Sequence, residues 1–272
     1  MFSSKTSFNF LLLISSFACL CKADFWPKPR QDIQVPATIP ITGLDCNFDR
    51  YIPDPSKLGN GDQKENQKYV FEIKNGGSLS NCIIGARPGT KGSAHGVLCD
   101  GDCDINNVWF EDVGEDAINF NGDSDDCVYN VNGGGARNGE DKVMQFDGKG
   151  TLNVNNYYVD NYVRFCRSCG NCGDQHQRHI VITNLTAVHG QAGQFVCGVN
   201  SNYKDTCTLH DIKMEKGIHP CKVFDGNSDG SEPTSNNDEE DHGDGTFCIY
   251  KKGDIKYISS KPKPKSKKSA KN

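Results

Sequence analysis

The sequence predicts an all-β chain wound as a right-handed parallel β-helix and stapled by disulfides. Three observations carry that expectation: a strand template recurring about every 26 residues, few helix-period patterns in a chain with 29 glycines, and 14 cysteines. The template reads apolar, any residue, Asn or Asp, apolar, any residue, usually apolar. It runs through Leu79–Ile84, Ile105–Phe110, Val128–Val131, Val154–Val159, Ile182–Ala187 and Leu209–Met214. Its Asn or Asp positions, Asn81, Asn107, Asn130, Asn156, Asn184 and Asp211, stand 26, 23, 26, 28 and 27 residues apart. Self-similarity at that period is the mark of a solenoid, in which each repeat buries its apolar side only by stacking on the next. Two apolar residues flanking a polar one give strand alternation, and Asn tolerates the tight turn that follows. A β-sandwich needs turns every 8–12 residues and no such period.

The elements follow in order. Residues 1–23 read as a secretory signal: Lys5 precedes the apolar run Phe8–Phe17, and Cys21-Lys22-Ala23 precedes a cleavage point at Asp24. Residues 24–34 form an entry arm, and 35–258 the β-helix. An acidic loop occupies 225–244 and a Lys-rich tail 259–272, both solvated by composition. Asp225, Asn227 and Asp229 begin like a calcium loop, but Asn236 holds the twelfth position, so this is no EF-hand. No later segment offers about 18 uninterrupted apolar residues, so a membrane span is not expected. Without the signal 12 cysteines remain, enough for six disulfides, with Cys99/Cys103 and Cys169/Cys172 as local candidates. Asn184-Leu185-Thr186 is a glycosylation sequon. The mild net charge of −5 gives no reason to expect nucleic-acid binding. The expected product is a soluble, extracellular monomer.

Three segments carry chemistry. Glu111/Asp112 and Glu115/Asp116 are acidic pairs among apolar strand residues; adjacent carboxylates repel and call for a cation or a basic partner. The second segment holds Gly133-Gly134-Gly135-Ala136-Arg137 and Asp141-Lys142, and the third holds Arg164 and Arg167. Glu115 to Lys142 is 27 residues and Lys142 to Arg167 is 25, so one coil period stacks acid, Lys and Arg on a single wall. Salt bridges or turn caps are the alternative reading for the acids. Cys166, Cys169, Cys172, His176 and His179 have zinc-like spacing, but exported cysteines so placed more often form disulfides. His189, His210 and His219 read as ordinary strand or turn residues.

The chain resembles polysaccharide lyase family 3, the small pectate lyases of bacteria, fungi and plant-parasitic nematodes. The resemblance rests on Leu58–Lys68, Ser80–Gly85, Trp109–Ala117, Asp141-Lys142-Val143 and Arg167–Cys172, which span nearly the whole mature domain. It implies cleavage of polygalacturonate, the pectin of plant cell walls, by calcium-assisted β-elimination. The proton on C5 beside the uronate carboxylate is removed and the C4–O bond breaks. It further implies Glu115 and Asp116 as Ca2+ ligands with Glu65 nearby, Lys142 as the base, its pKa lowered by calcium and nearby cations, and Arg167 as the grip on the substrate carboxylate. Two positions depart from the family pattern. His95 stands where the family carries a calcium-binding Asp, and Arg164 where many relatives carry Lys; Arg keeps the charge and deprotonates less readily. Two other functions compete: a lyase-derived pectin-binding or host-interaction protein weakened at His95, and a pectin hydrolase. The hydrolase needs a set of aspartates around a water, which this sequence does not offer.

Overall fold

A computed structural model describes residues 25–64, 67–85, 95–235 and 242–259. The signal segment, Glu65, most of the tail and part of the acidic loop lie outside the described residues. The chain is a parallel β-solenoid of about six turns. Among the described residues the strand pairs are parallel except for Phe224–Asp225 against Thr234–Ser235, and the only helices are two 3₁₀ turns, Ser201–Tyr203 and Lys252–Asp254.

The recurring template marks one corner of the tube. Its first apolar residue points inward, and Leu79, Ile105, Val131, Val154, Ile182 and Leu209 stack in register, each fully buried. Burying each such side chain is worth roughly 1.5–3 kcal/mol. Asn81, Asn107, Asn156, Asn184 and Asp211 all adopt positive φ, between 51° and 58°. Asn and Asp visit this region more readily than other residues with a Cβ. Their side chains then form a ladder along the corner: Asn107 Nδ2 donates to Asn81 Oδ1 at 2.9 Å and Asn184 Nδ2 to Asn156 Oδ1 at 2.7 Å. The sequon asparagine is thus a rung of this ladder.

The third repeat is corrected by three residues. Val128 is 41% exposed and Asn130 lies within a strand, bonded to Asp104 and Asn153 in a different ladder. Val131 takes the inward place, and the turn is made by Gly133, with φ 69°, in register with Asn107. Gly and Asn both reach this conformation, so the turn position tolerates either residue, and the Asn ladder breaks at this coil.

Among the described residues there are four disulfides: Cys46–Cys82, Cys99–Cys103, Cys169–Cys172 and Cys221–Cys248. Both local pairs form as expected, but six bridges do not. Cys127, Cys166, Cys197 and Cys207 are buried thiols. Cys197 sits one coil from Cys221 and Cys207 one coil from Cys248, so this thiol pair repeats the position of the bridge above it.

Strand pairing already begins inside the expected arm, where Asp32–Val35 pairs with Arg50–Pro53. Before it, Trp26 is buried edge-on against Trp109 at 4.7 Å, with the Arg137 guanidinium 3.7 Å above its ring. Arg30 is tied to Asp49 by two 2.7 Å hydrogen bonds.

Candidate functional site

One sheet of the tube presents the groove, and a short pattern builds it. In five coils of this sheet, two core residues are bracketed by two outward ones: Tyr69-Val70-Phe71-Glu72, Asp116-Ala117-Ile118-Asn119, Lys142-Val143-Met144-Gln145, Arg164-Phe165-Cys166-Arg167 and Phe195-Val196-Cys197-Gly198; the coil of His95-Gly96-Val97-Leu98 lies between the first two. All ten inner residues belong to the central core. Strict alternation would send one of each pair outward; both are buried instead, and positions i and i+3 (Asp116 and Asn119, Lys142 and Gln145, Arg164 and Arg167) line the same clefts.

Two rails result. The first contains Asp116, Lys142 and Arg164 in register; the second runs Asn119, Gln145, Arg167, Gly198, Lys222. Neighbouring rungs are about 4.8 Å apart. The sequence brought the right residues to one wall with the wrong partners. Asp116 rather than Glu115 pairs with Lys142, and Arg167 stands opposite Gln145, because the coils here differ in length. Asn119, Gln145 and Lys222 were not singled out by sequence reasoning; the polar–apolar–apolar–polar bracket was the available signal.

At the acidic end, His95, Glu115 and Asp116 are buried, at 4%, 5% and 2% exposure. Their candidate ligand atoms all lie within 4.8 Å of one another. The imidazole packs on Tyr69 with ring centroids 4.9 Å apart, and its Nδ1 is 3.1 Å from Glu115 Oε2. Glu111 does not join them; it faces Arg50 at 3.4 Å. Glu65 lies outside the described residues. Burial pushes the Asp116 carboxyl well above its ordinary range, with Glu115 and Asp141 adding repulsion and Lys142 opposing it. Its Oδ1 is buried and has no hydrogen-bond donor among the described residues. A buried pocket of carboxylate oxygens fits a hard divalent cation such as calcium, and the His95 imidazole is the one nitrogen donor in the set.

Lys142 Nζ stands 3.4 Å from Glu115 Oε1 and 3.6 Å from Asp116 Oδ1 and is ion-paired to Asp141. Burial alone pulls its pKa down and is the largest single effect, yet Asp116, Asp141 and Glu115 together outweigh it. The ammonium is therefore held above the ordinary lysine value. In the cation-free site these carboxylates keep the proton on; the lowered lysine expected from the sequence belongs to the calcium-loaded site.

At the basic end, Arg164 Nη1 donates to Asp141 Oδ1 at 2.7 Å and its Nε to Gln194 at 3.2 Å. Arg167 is buried, lies 4.2 Å over the Phe224 ring, and donates through Nη1 to Ser168 O at 2.6 Å and Asn200 Oδ1 at 3.1 Å. Burial lowers its pKa to about 10, against the attraction of Asp205. Asp205 in turn fixes Asn200, accepting its Nδ2 at 2.9 Å. Beneath this network the fully buried Arg178 donates to the carbonyls of Asp147, Gly148 and Cys169, pinning the ends of both groove strands. The zinc reading fails here because Cys169 and Cys172 are joined to each other.

A parallel β-helix with an acid pocket and a cationic cleft on one sheet is an enzyme architecture suited to an anionic polymer. A family model described as Pectate lyase matches residues 23–231. Pectate lyase H of Emericella nidulans is 40% identical over 194 residues, 70% of this chain and 68% of that one. Probable pectate lyase F of Aspergillus terreus is 36% identical over 82% of this chain and 93% of its own length. Among solved structures, the catalytic domain of pectate lyase PelI from Erwinia chrysanthemi aligns with a TM-score of 0.68 at 25% identity, covering 84% of this chain and all of that one. PelI has also been solved in complex with tetragalacturonic acid, and that structure aligns with a TM-score of 0.63 over 83% of this chain and 70% of its own. The chain belongs to the pectate lyase family, and its activity is that of a pectate lyase.

Proposed function

We propose that the protein is exported, loses residues 1–23, and cleaves polygalacturonate of plant cell walls as a monomer, with calcium at Glu115, Asp116 and His95. The observation that carries this reading is the register of the two rails, which sets a cation pocket within one or two rungs of Lys142, Arg164 and Arg167. The tetragalacturonate complex of PelI supports the substrate class, and the four disulfides support an oxidising compartment.

Bound there, calcium would neutralise the carboxylates and polarise the substrate's uronate carboxylate. The chain's own residues do the rest. Arg167 and Arg164 hold substrate carboxylate through guanidinium hydrogen bonds, a geometry Lys cannot copy. Lys142 takes the C5 proton. Its burial favours the neutral amine once Glu115 and Asp116 no longer attract its proton, so the cation requirement and the base are linked through these two carboxylates. The electron pair from C5 forms the C4–C5 double bond as the C4–O bond breaks.

The test is release of unsaturated oligogalacturonides, read by their near-ultraviolet absorbance, from polygalacturonate with calcium and with a chelator. Product with calcium, none with chelator and none from Lys142→Ala is expected. Unchanged rates in chelator would overturn the calcium assignment, and full activity of Lys142→Ala the base.

A further inference from the structure

The acidic pocket contains more oxygen than Glu115 and Asp116 supply. Asn119 is 4% exposed and lines the same cavity as His95, Glu115, Asp116 and Gln145. Its Nδ2 donates to Asp116 Oδ2 at 3.1 Å. Gln145 Nε2 donates to Asp147 Oδ1 at 2.7 Å. Asp116 thus draws the nitrogen end of the Asn119 amide and Asp147 that of Gln145, which fixes both orientations, since reversing either would set a carbonyl oxygen against a carboxylate. Both carbonyl oxygens, Asn119 Oδ1 and Gln145 Oε1, are then left buried with no donor among the described residues, beside Asp116 Oδ1 in the same condition.

A buried carbonyl oxygen with no partner costs about 1–3 kcal/mol. Two in one cavity, on neighbouring rungs and beside the Asp116 carboxylate, is an arrangement that a cation relieves. Calcium takes 6–8 oxygen ligands and accepts amide carbonyls readily.

We propose that the side-chain carbonyls of Asn119 and Gln145 are calcium ligands that complete the coordination begun by Glu115 and Asp116. The inference rests on the calcium reading of this site. It accounts for how the chain accommodates His95: two neutral oxygens from the second rail add coordination where the first rail supplies an imidazole. Asp147 is a positioning residue that presents the Gln145 oxygen.

The experiment is calorimetric titration of calcium chloride into the chelator-stripped mature protein without substrate, with calcium-induced thermal stabilisation as a second readout. Asn119→Ala and Gln145→Ala are each expected to weaken calcium binding about tenfold, the factor produced by about 1.4 kcal/mol. Asn119→Asp, which keeps an oxygen at the same place, is expected to bind at least as tightly as the wild type. Variants are compared only where circular dichroism matches the wild type, and Asn119→Asp guards against loss of folding in the alanine variant. Wild-type protein that takes up no calcium overturns the reading of the site. Wild-type binding with both alanine variants within twofold of it overturns the inference alone, and assigns the two carbonyls to sugar hydroxyls instead.

Discussion

Lys142→Met tests the electrostatics of the groove without touching the fold's repeat. In the cation-free protein the ammonium lies 3.4 and 3.6 Å from Glu115 and Asp116 and is paired with Asp141, with its side chain 13% exposed. Each such contact is worth about 4–5 kcal/mol at an effective dielectric of 20, before the cost of burying the lysine. Methionine keeps the length and apolar stem but leaves buried Glu115 and Asp116 without their ammonium, while Asp141 keeps only Arg164. Breaking a buried pair from one side costs about 3–5 kcal/mol. For a domain of this size that is a fall of roughly 6–20 °C in melting temperature. The assay is thermal unfolding in chelator and in millimolar calcium. The fall is expected in chelator and is expected to shrink sharply in calcium, because a divalent ion supplies the missing charge. A melting temperature within 2 °C of wild type in chelator would refute the claim that Lys142 compensates these acids.

Gly198→Ala is expected to lower kcat/KM by up to about a hundredfold, with the fold intact by circular dichroism. A Cβ there would stand 2.6 Å from the Phe195 ring and 2.9 Å from Arg167 Cδ, driving the arginine out of place. Unchanged kinetics would show that Arg167 does not grip substrate. Because burial lowers the Arg167 pKa to about 10, its cation is present below that pH and lost above it. KM for oligogalacturonate should therefore climb above about pH 10, and a flat profile would show that burial does not lower Arg167 into that range. The Cys197 contact, and then burial, raises the pKa of Cys166, and burial raises those of Cys197 and Cys207. A thiol-specific disulfide reagent should find no reactive cysteine in the native mature protein and four after unfolding; fewer than four would contradict four free thiols.

The fold was legible because a coil of near-constant length leaves its period in the residues that must turn. Leu79, Ile105 and Asn107 announce the corner by themselves. Coil three was misaligned because Gly133 turns the chain as well as Asn does, while the nearby Val128 and Asn130 imitate the template. The site was legible by residue type. Glu115, Asp116, Lys142, Arg164 and Arg167 do lie on one wall, and His95 joins the acids. Their pairing was not, since adding whole periods ignores the differing lengths of individual coils. Asn119 and Gln145 escaped notice because neutral amides look like ordinary surface residues until their partners are known. The direction of the Lys142 shift was likewise hidden: it depends on three carboxylates converging on one ammonium, which spacing does not reveal.

The bracket of two inward residues between two outward ones is copied, turn after turn, with only its outer pair changed. Groove length and groove chemistry are therefore separable in this architecture. Duplicating a turn would extend the binding surface by about 4.8 Å and leave every existing rung in place, whereas losing a single residue inside a bracket would turn core side chains out and groove side chains in. Evolution and design can both lengthen or recode such a surface one rung at a time, provided that they edit in whole turns.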